Sequence, residues 1–419
     1  MSRLPPGSSG LPLLGETLPF AKNPFRFLEE RLAKYGRVFR TNVLGRKTVV
    51  VAGPEAAGRF IDGSVVMREG SMPPHVQELF GGRSLPLLDG DAHAARKSTV
   101  LAAFTREAMA SYVPIIEGAV QRSFAKWAGA GEIRWLDEMK RLAIEVICST
   151  FFGLEPGDEM DRLRNDYDIL TRGFATLPIN LPGTPYRNAL KARDRILGVL
   201  RRIVRERRAA PSDDGLSRIL KGGEVSDDDL ALELHHIVVA GFIVYGELAA
   251  IVRQLTDHPD VRERLQKEGL MLQSPYLLQF VNEVKRLTPI VPVVFGKSRK
   301  EFEFDGVAVP AGWMVLWAVN PSHAAHGVYD DAQRFDPDRF SPARAEDRRH
   351  EHAFAPQGAG PITGHRCPGL DFATVFMSVF TIALLRGYTW ELPPQRFDYD
   401  WSKVPPEVRD GLRARVTAS

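Results

Sequence analysis

The chain has 419 residues, of which 44% are hydrophobic and 26% charged, which is the composition of a globular protein rather than a disordered or fibrous one. Fifty-five lysines and arginines against 52 acidic residues leave a net charge of +3, too balanced for a protein that binds nucleic acid or anionic lipid through a basic surface. Only Cys148 and Cys367 are present, so a disulfide framework and a multi-thiolate zinc or iron–sulfur site are also excluded.

Two further features bear on location. The N-terminus, MSRLPPG, lacks the charged, apolar and small-residue segments of a signal peptide. The longest nearly uncharged apolar runs, 237–246 and 372–385, are shorter than the roughly 18 residues that a membrane span requires. We therefore expect no membrane span and a cytoplasmic protein.

In chain order, the first predicted elements are a helix over 24–35 and a hairpin formed by Val38–Val43 and Thr48–Ala52. Most of 91–290 has helical periodicity, with interruptions at 65–90 and 175–186 that are rich in Gly, Pro and Met. A short strand pair is predicted over Phe302–Val309, where Asp305-Gly306 signals a turn. No linker separates these elements, so we predict one mainly α domain over 1–419 with small β-sheets, its β-rich parts lying at about 36–60 and 290–320.

A long helix is predicted to begin after Ser226, a good N-cap followed by three aspartates. No proline interrupts it before Thr256, which gives about 30 residues and roughly 45 Å. Its middle, 238–246, is apolar on all sides and is expected to be buried all round. Gly241 and Gly246 indicate either a kink or a group lying close against the backbone.

Cys367 follows a glycine-rich loop and precedes an apolar helix predicted from about Leu370 to Leu385. A cysteine in this position has its thiolate stabilised by the unpaired N–H groups of the helix and by the neighbouring His365 and Arg366. The glycines allow the backbone to approach a flat ligand closely. The alternative, an inert buried cysteine beside a glycine loop, stays open for this motif taken alone.

This loop, FAPQGAGPITGHRCPG over 354–369, resembles the cysteine signature of the cytochromes P450, which are haem-thiolate monooxygenases. Three further segments are similar to motifs of that family: EVKR at 283–286, FDPDRF at 335–340 and HAARK at 93–97. The motifs are ordered along nearly the whole chain. The resemblance implies the family's fold, a triangular prism with a long central helix over a haem.

The same resemblance implies roles for individual residues. Cys367 would be the axial ligand of the iron of haem b, with Phe354 and Gly360 also at the cofactor. The haem propionates would meet His93, Lys97, His365 and one of Lys297 or Arg299. A structural cluster of carboxylate and guanidinium groups would be formed by Glu283, Arg286 and Arg339.

Two departures from the family's pattern bear on mechanism. The cysteine loop is extended by residues 361–364 and resembles the fatty-acid peroxygenase branch. The helix expected over the haem normally carries an acid followed by a threonine, whereas this chain reads Ala240, Gly241, Phe242, Ile243 and Val244. Loss of that acid–alcohol pair is expected to slow or uncouple the proton-dependent cleavage of the O–O bond. The arginine that peroxygenases use instead is also absent, because no Arg or Lys lies between Asp229 and Arg253.

The loop LPINLPGTPY at 177–186 is similar to that of retinoid- and sterol-oxidising members and favours a small lipophilic substrate: a terpenoid, a retinoid-like molecule or a fatty acid. The expected pocket is lined by Met67, Met72, Phe80, Phe174, Leu177, Val239, Ala240, Ile243 and Val244.

We predict a monomeric monooxygenase that uses dioxygen and a separate ferredoxin- or flavodoxin-type electron donor. Three alternatives are open: a peroxide-dependent fatty-acid peroxygenase, a haem-thiolate isomerase or dehydratase, and a haem protein without catalytic activity.

Overall fold

The computed structural model of the chain describes residues 3–12, 14–174, 176–288, 290–325, 327–401 and 403–419. These residues form two compact units, each assembled from separate stretches of the chain. Unit 1 comprises Met1–Ala95, Val291–Phe335 and Pro342–Cys367, and unit 2 comprises Arg96–Ile290, Asp336–Ser341 and Pro368–Ser419. The expectation of one domain over 1–419 stays a prediction.

Most of the helical residues lie between 90 and 290. The helices are α1 (Thr17–Lys22), α2 (Pro24–Tyr35), α3 (Pro54–Ile61), α4 (Pro74–Leu79), α5 (Gly90–Leu101), α6 (Arg106–Ala128), α7 (Trp135–Phe152), α8 (Asp158–Phe174), α9 (Pro185–Ala209), α10 (Gly215–Lys221), α11 (Asp227–Phe242), α12 (Tyr245–Asp257), α13 (Pro259–Glu268), α14 (Pro275–Leu287), α15 (Val319–His323) and α16 (Leu370–Gly387).

The strands are short. They are β1 (Val38–Val43), β2 (Arg46–Val51), β3 (Val66–Met67), β4 (Glu132–Arg134), β5 (Val293–Ser298), β6 (Phe302–Phe304), β7 (Val307–Val309), β8 (Met314–Ala318), β9 (Tyr388–Glu391), β10 (Tyr399–Asp400), β11 (Glu407–Val408) and β12 (Arg413–Ala418). Unit 1 holds a sheet of order β1-β2-β8-β5-β3 and the hairpin β6-β7, and unit 2 holds a sheet of order β4-β12-β9 and the pair β10-β11.

The five-stranded sheet is buried on both faces. Val49 and Trp317 belong to one apolar core, while Val50 and Leu316, their neighbours along the same strands, belong to another. Side chains alternate between the two faces of a strand, so a nearly continuous apolar run such as TVVVA at 48–52 places side chains in both cores. Both predicted hairpins are confirmed, although 54–61, part of the stretch expected to be rich in β-structure, is helix α3.

The long helix predicted from Ser226 to Thr256 is interrupted, so the expectation of one continuous helix is wrong. Ser226 accepts a hydrogen bond from the backbone of Asp229, as an N-cap does, but α11 ends at Phe242 and α12 begins at Tyr245. The turn between them is tightened, since Val244 donates to the carbonyl of Gly241 three residues earlier.

Both glycines of this segment face close neighbours within unit 2. A Cβ added to Gly241 would lie 2.5 Å from Cδ1 of Ile147, and one added to Gly246 would lie 3.2 Å from Cγ of Pro405. The two alternatives predicted for these glycines, a kink and a close approach, are therefore both present.

Two helical stretches, 227–257 and 370–387, are long and apolar enough to cross a membrane by length and composition alone, although the nearly uncharged runs within them are shorter. Within the structure, 72% and 56% of their apolar windows are buried. This degree of burial is typical of core helices, which pass the same test as membrane spans.

Candidate active site

The cysteine loop is closed by a hydrogen bond from the backbone N–H of Cys367 to the carbonyl of Gln357, at 3.0 Å. Gly358 and Gly360 adopt φ values of +94° and +85°, which residues with a side chain rarely tolerate. A Cβ at Gly360 would also lie 2.9 Å from Cδ1 of Ile61. The glycines are therefore required by the loop's conformation as well as by its closeness to helix α3.

The two cysteines have different environments. Cys148 is fully buried within α7, and this burial raises the pKa of its thiol far above the ordinary range. Cys367 is partly exposed on its loop. A thiolate is the form that binds metal, so Cys367 is the cysteine suited to that role and Cys148 is a core residue.

Phe354, which opens the loop, is held by a residue for which the sequence predicted no role at this site. The ring of His323 stacks on Phe354 at 6.1 Å, and Nε2 of His323 accepts a hydrogen bond of 3.1 Å from the backbone of Ala355. His323 ends helix α15 and is buried. Nothing in the local sequence links it to a segment more than 30 residues later, because the contact is created by the tertiary fold.

Two of the predicted propionate-binding residues lie together in unit 1. The imidazole rings of His93 and His365 stack with centroids 4.0 Å apart, and Nε2 of His365 lies 3.5 Å from Oδ1 of Asp89. Asp89 is also 3.6 Å from Arg299 and accepts backbone hydrogen bonds from Arg68 and Glu69, at 2.8 Å each. Burial opposes ionisation of Asp89, but the hydrogen bonds from His365 and from these backbone groups outweigh it and lower the pKa of Asp89.

The other cations predicted for the propionates have mixed placements. Lys97 is buried on α5 in unit 2. Lys297 is half-buried on β5, opposite Met67 of β3. Arg299 is exposed, and its Nε donates to the carbonyl of Gly63 at 2.8 Å. The sequence did not predict a role for Asp89, because this aspartate belongs to no motif and the residues expected at the propionates were all basic.

The predicted carboxylate–guanidinium cluster is present in unit 2 and is fully buried. Glu283 accepts hydrogen bonds of 2.6 and 2.8 Å from Arg286 and one of 3.0 Å from Arg339. The backbone N–H of Asp336 donates to the same carboxylate at 2.9 Å. Helix α14 is therefore tied to the 335–340 segment by charge-assisted bonds that share one acceptor.

The segment expected to lie over the haem has one partly open face. Ala240, Gly241 and Ile243 are half-buried, whereas Val239, Phe242 and Val244 are buried, so the expectation of burial all round holds for only part of the segment. The side chains at the positions of the acid and the alcohol are Ile243 and Val244, which have no proton to transfer.

Glu247, the nearest acid along the helix, is buried, and the charge that acts on it is that of Lys285. Lys285 donates to the carbonyl of Leu370 at 3.1 Å and to the hydroxyl of Thr374 at 2.8 Å. Oε2 of Glu247 has no hydrogen-bond partner among the described residues. Burial raises the pKa of Glu247, with Lys285 opposing the shift.

The remaining residues predicted to line a pocket are distributed over both units. Met67, Met72 and Phe80 are half-buried in unit 1, and Phe174 is half-buried at the end of α8 in unit 2. Leu177 is 74% exposed, which differs from the burial expected of a pocket residue. The loop from 177 to 184 has no regular secondary structure that would direct this side chain inward.

Comparison with known proteins defines the class to which this fold and site belong. The profile of the family "Cytochrome P450" matches residues 5–402. The chain belongs to the cytochrome P450 family and has its fold, and it is an oxidoreductase of the monooxygenase class.

Individual relatives cover nearly the whole chain. It is 29% identical to cytochrome P450 26B1 of Danio rerio, over 98% of this chain and 86% of that protein. It is 28% identical to abscisic acid 8'-hydroxylase 2 of Arabidopsis thaliana, over 99% and 90%. Its fold is similar to that of "Retinoic acid bound cyanobacterial CYP120A1" (TM-score 0.92, 28% identity, all of both chains) and of "Cytochrome P450SP alpha (CYP152B1) in complex with (R)-ibuprophen" (TM-score 0.85, 26% identity, 96% and 98%).

The residues present fit the haem-thiolate cofactor that the family implies. Cys367 is a partly exposed cysteine on a loop whose glycines adopt positive φ values, and the stacked His93 and His365 offer nitrogen donors for carboxylates. His323 fixes the aromatic residue that opens the loop.

Proposed function

We propose that this protein inserts one oxygen atom from dioxygen into a C–H or C=C bond of a small isoprenoid carboxylic acid. The family acts on lipophilic substrates with dioxygen and redox partners. Retinoic acid and abscisic acid, named for two of the relatives, are both isoprenoid acids. The resemblance of the 177–186 loop to retinoid-oxidising members supports the same class.

Haem b, ligated by the thiolate of Cys367, supplies the oxidising chemistry when it is bound. The chain's own residues have other tasks. Cys367 is positioned by its bond to Gln357, and Glu283 with its two arginines stiffens the fold. The apolar Ala240, Ile243 and Val244 would exclude water from the reacting carbon.

The proton supply distinguishes this chain from typical members. Ile243 and Val244 offer no proton at the positions of the acid and the alcohol, and Glu247 is buried. We therefore assign proton delivery to water or to a hydroxyl or carboxyl group of the substrate.

One observation carries the choice of dioxygen over peroxide: no Arg or Lys lies between Asp229 and Arg253. A peroxygenase needs a cation there to hold the substrate carboxylate beside the oxidant. The second candidate, a fatty-acid peroxygenase, is favoured by the extended loop 361–364 and by the similarity to CYP152B1. In the dioxygen route we propose a cytoplasmic monomer served by a ferredoxin- or flavodoxin-type donor.

The test compares oxidants on one substrate panel. Purified holoprotein is given retinoic acid, abscisic acid or palmitic acid, with either a ferredoxin–reductase–NADPH system in air or hydrogen peroxide alone, and products are identified by mass spectrometry. We expect a product one oxygen atom heavier from an isoprenoid acid with the reductase system only. Turnover of palmitic acid with peroxide alone would establish the second candidate, and conversion under argon would establish an isomerase or dehydratase. The Cys367→Ala variant is the control for product that does not depend on the thiolate.

A further inference from the structure

Arg68 has a buried side chain to which the site described above assigns no role. It follows strand β3 in unit 1, and only 6% of its surface is exposed. Its guanidinium carbon lies 3.9 Å from the centre of the Phe60 ring. Arginine is rarely buried without an anionic partner, because removal of its charge from water is costly.

The described residues give this guanidinium little hydrogen bonding. One of its terminal nitrogens donates to the carbonyl of Phe295 at 3.4 Å, and no carboxylate of the described residues lies within 4.0 Å of its nitrogens. Asp89 is the acid whose charge acts on Arg68. Its carboxylate accepts hydrogen bonds from the backbone of Arg68 and Glu69 and lies 3.5 Å from His365. Burial lowers the pKa of Arg68 to about 10, with Asp89 opposing the shift, so the group remains charged at neutral pH.

The local backbone makes room for this arrangement. Strands β3 and β5 pair with Val66 opposite Ser298 and Met67 opposite Lys297, so the next residue, Arg68, falls opposite Gly296. A Cβ at Gly296 would lie 2.5 Å from Val66 and 2.8 Å from Phe60. Glycine at this position therefore lets the Phe60 ring come close to the strand, and the guanidinium stacks on that ring.

We propose that Arg68 binds a carboxylate supplied by a ligand of this protein, either a propionate of the haem or the carboxylate of the substrate. The planar fork of a guanidinium matches a carboxylate in two parallel hydrogen bonds, and a carboxylate would satisfy donors that the described residues leave without an anion. This inference rests on the proposed function.

Each source has its own support. Asp89 connects the Arg68 backbone to His365, whose ring stacks on His93, and these histidines are the residues predicted to meet the propionates. For the substrate carboxylate, the helix segment from 230 to 252 offers no Arg or Lys, so a guanidinium or ammonium anchor must come from elsewhere in the chain.

The test measures binding of both ligands rather than turnover. Holoprotein is prepared for the wild type, Arg68→Gln and Arg68→Lys, with Arg59→Gln as a matched control, because Arg59 is an exposed arginine next to Phe60 on α3. Haem loss is followed by transfer to apomyoglobin. Substrate affinity is followed by the shift of the Soret band on titration with retinoic acid and with its methyl ester.

If the partner is a propionate, Arg68→Gln loses haem about tenfold faster or more than the wild type, with Arg68→Lys intermediate and Arg59→Gln unchanged. If the partner is the substrate, haem loss is unchanged, and affinity falls about tenfold or more for the acid but not for the ester. Arg68→Lys decides the question in the same two assays if Arg68→Gln does not fold.

The inference is overturned if haem loss and acid affinity of these variants match the wild type, or if acid and ester are weakened equally while haem loss is unchanged. If the wild type binds haem and yields the expected product, but Arg68→Gln changes neither haem loss nor acid affinity, this inference is refuted and the proposed function stands. A wild type that oxidises no isoprenoid acid refutes the proposed function instead.

Discussion

The backbone N–H of Cys367 donates to the carbonyl of Gln357 at 3.0 Å, so the loop of the proposed iron ligand is closed by its own backbone before any cofactor is considered. Gly358 follows Gln357 directly and has φ at +94°. A Cβ added to Gly358 would lie 3.4 Å from Cα of Arg366. The position of the sulfur therefore depends on residues that carry no chemistry themselves.

Replacement of Gly358 by alanine should strain this closure. We expect Gly358→Ala to lower the free energy of unfolding by roughly 1–3 kcal/mol, because a side chain is disfavoured at this φ. Chemical denaturation of the holoprotein measures the change. Gly387→Ala is the control, since a Cβ there meets nothing within 4 Å, and equal stability of the two variants would contradict the prediction.

Glu283 accepts hydrogen bonds from two buried arginines, so removal of its charge should be severe. We expect Glu283→Gln to destabilise the protein by about 3–5 kcal/mol, because it removes the negative charge that the buried Arg286 and Arg339 share. Thermal and denaturant unfolding measure this loss. Glu263→Gln, at an exposed ion pair with Lys267, should change stability by less than about 1 kcal/mol. A comparable effect of both substitutions would show that the cluster is not structural.

Glu247 should make stability depend on pH in an unusual direction. Its pKa is raised by burial above the ordinary 4.5, so its contribution to stability is fully present below that value and is lost as pH rises through the folded pKa. Glu247→Gln removes this dependence. We therefore expect the variant to gain stability relative to the wild type between pH 5 and pH 8, as measured by denaturation at each pH. A relative loss over the same interval would mean that the Lys285 charge dominates.

A hydroxyl restored at Val244 should improve the use of reductant. Threonine matches valine in shape, and its hydroxyl can bond a helix carbonyl while it offers a proton. We expect Val244→Thr to raise the ratio of product formed to NADPH consumed and to lower peroxide release, whereas Val238→Thr, at a buried valine of the same segment that is not a predicted pocket residue, leaves the ratio unchanged.

A substrate analogue without its polar group should uncouple NADPH consumption from product formation. With such an analogue the wild type should consume NADPH and release peroxide instead of product, because the substrate no longer supplies the proton. Tight coupling with the analogue would rule out the substrate's own group as the proton source and leave water. No effect of Val244→Thr would contradict the missing hydroxyl as a cause of uncoupling.

Features determined by local chemistry could be predicted from the sequence. The hairpin at Leu44-Gly45, the turn at Asp305-Gly306 and the cap at Ser226 all depend on residues adjacent to one another, and all are present. The Glu283 cluster could also be predicted, because its three charged residues lie within family motifs.

Features determined by tertiary contacts could not be predicted. The neighbour of Gly241 is one such feature, because Ile147 lies nearly a hundred residues earlier in the chain, although the two glycines themselves indicated a kink or a close contact. Arg68 lies between Met67 and Glu69 and has the local sequence of a surface charge, and its burial depends on a strand register with Gly296 that no local pattern encodes. His323 was missed for the same reason, since its bond to Ala355 exists only in the fold.

The central claim is that Cys367 is the thiolate ligand of a haem, and the carbon-monoxide difference spectrum of the reduced protein tests it most directly. The wild type and Cys148→Ala should both show the long-wavelength Soret band of a thiolate-ligated haem, because Cys148 is a buried core residue. Cys367→Ala should lack that band. A Cys367→Ala protein that keeps the band, or a haem-loaded wild type without it, would contradict the assignment.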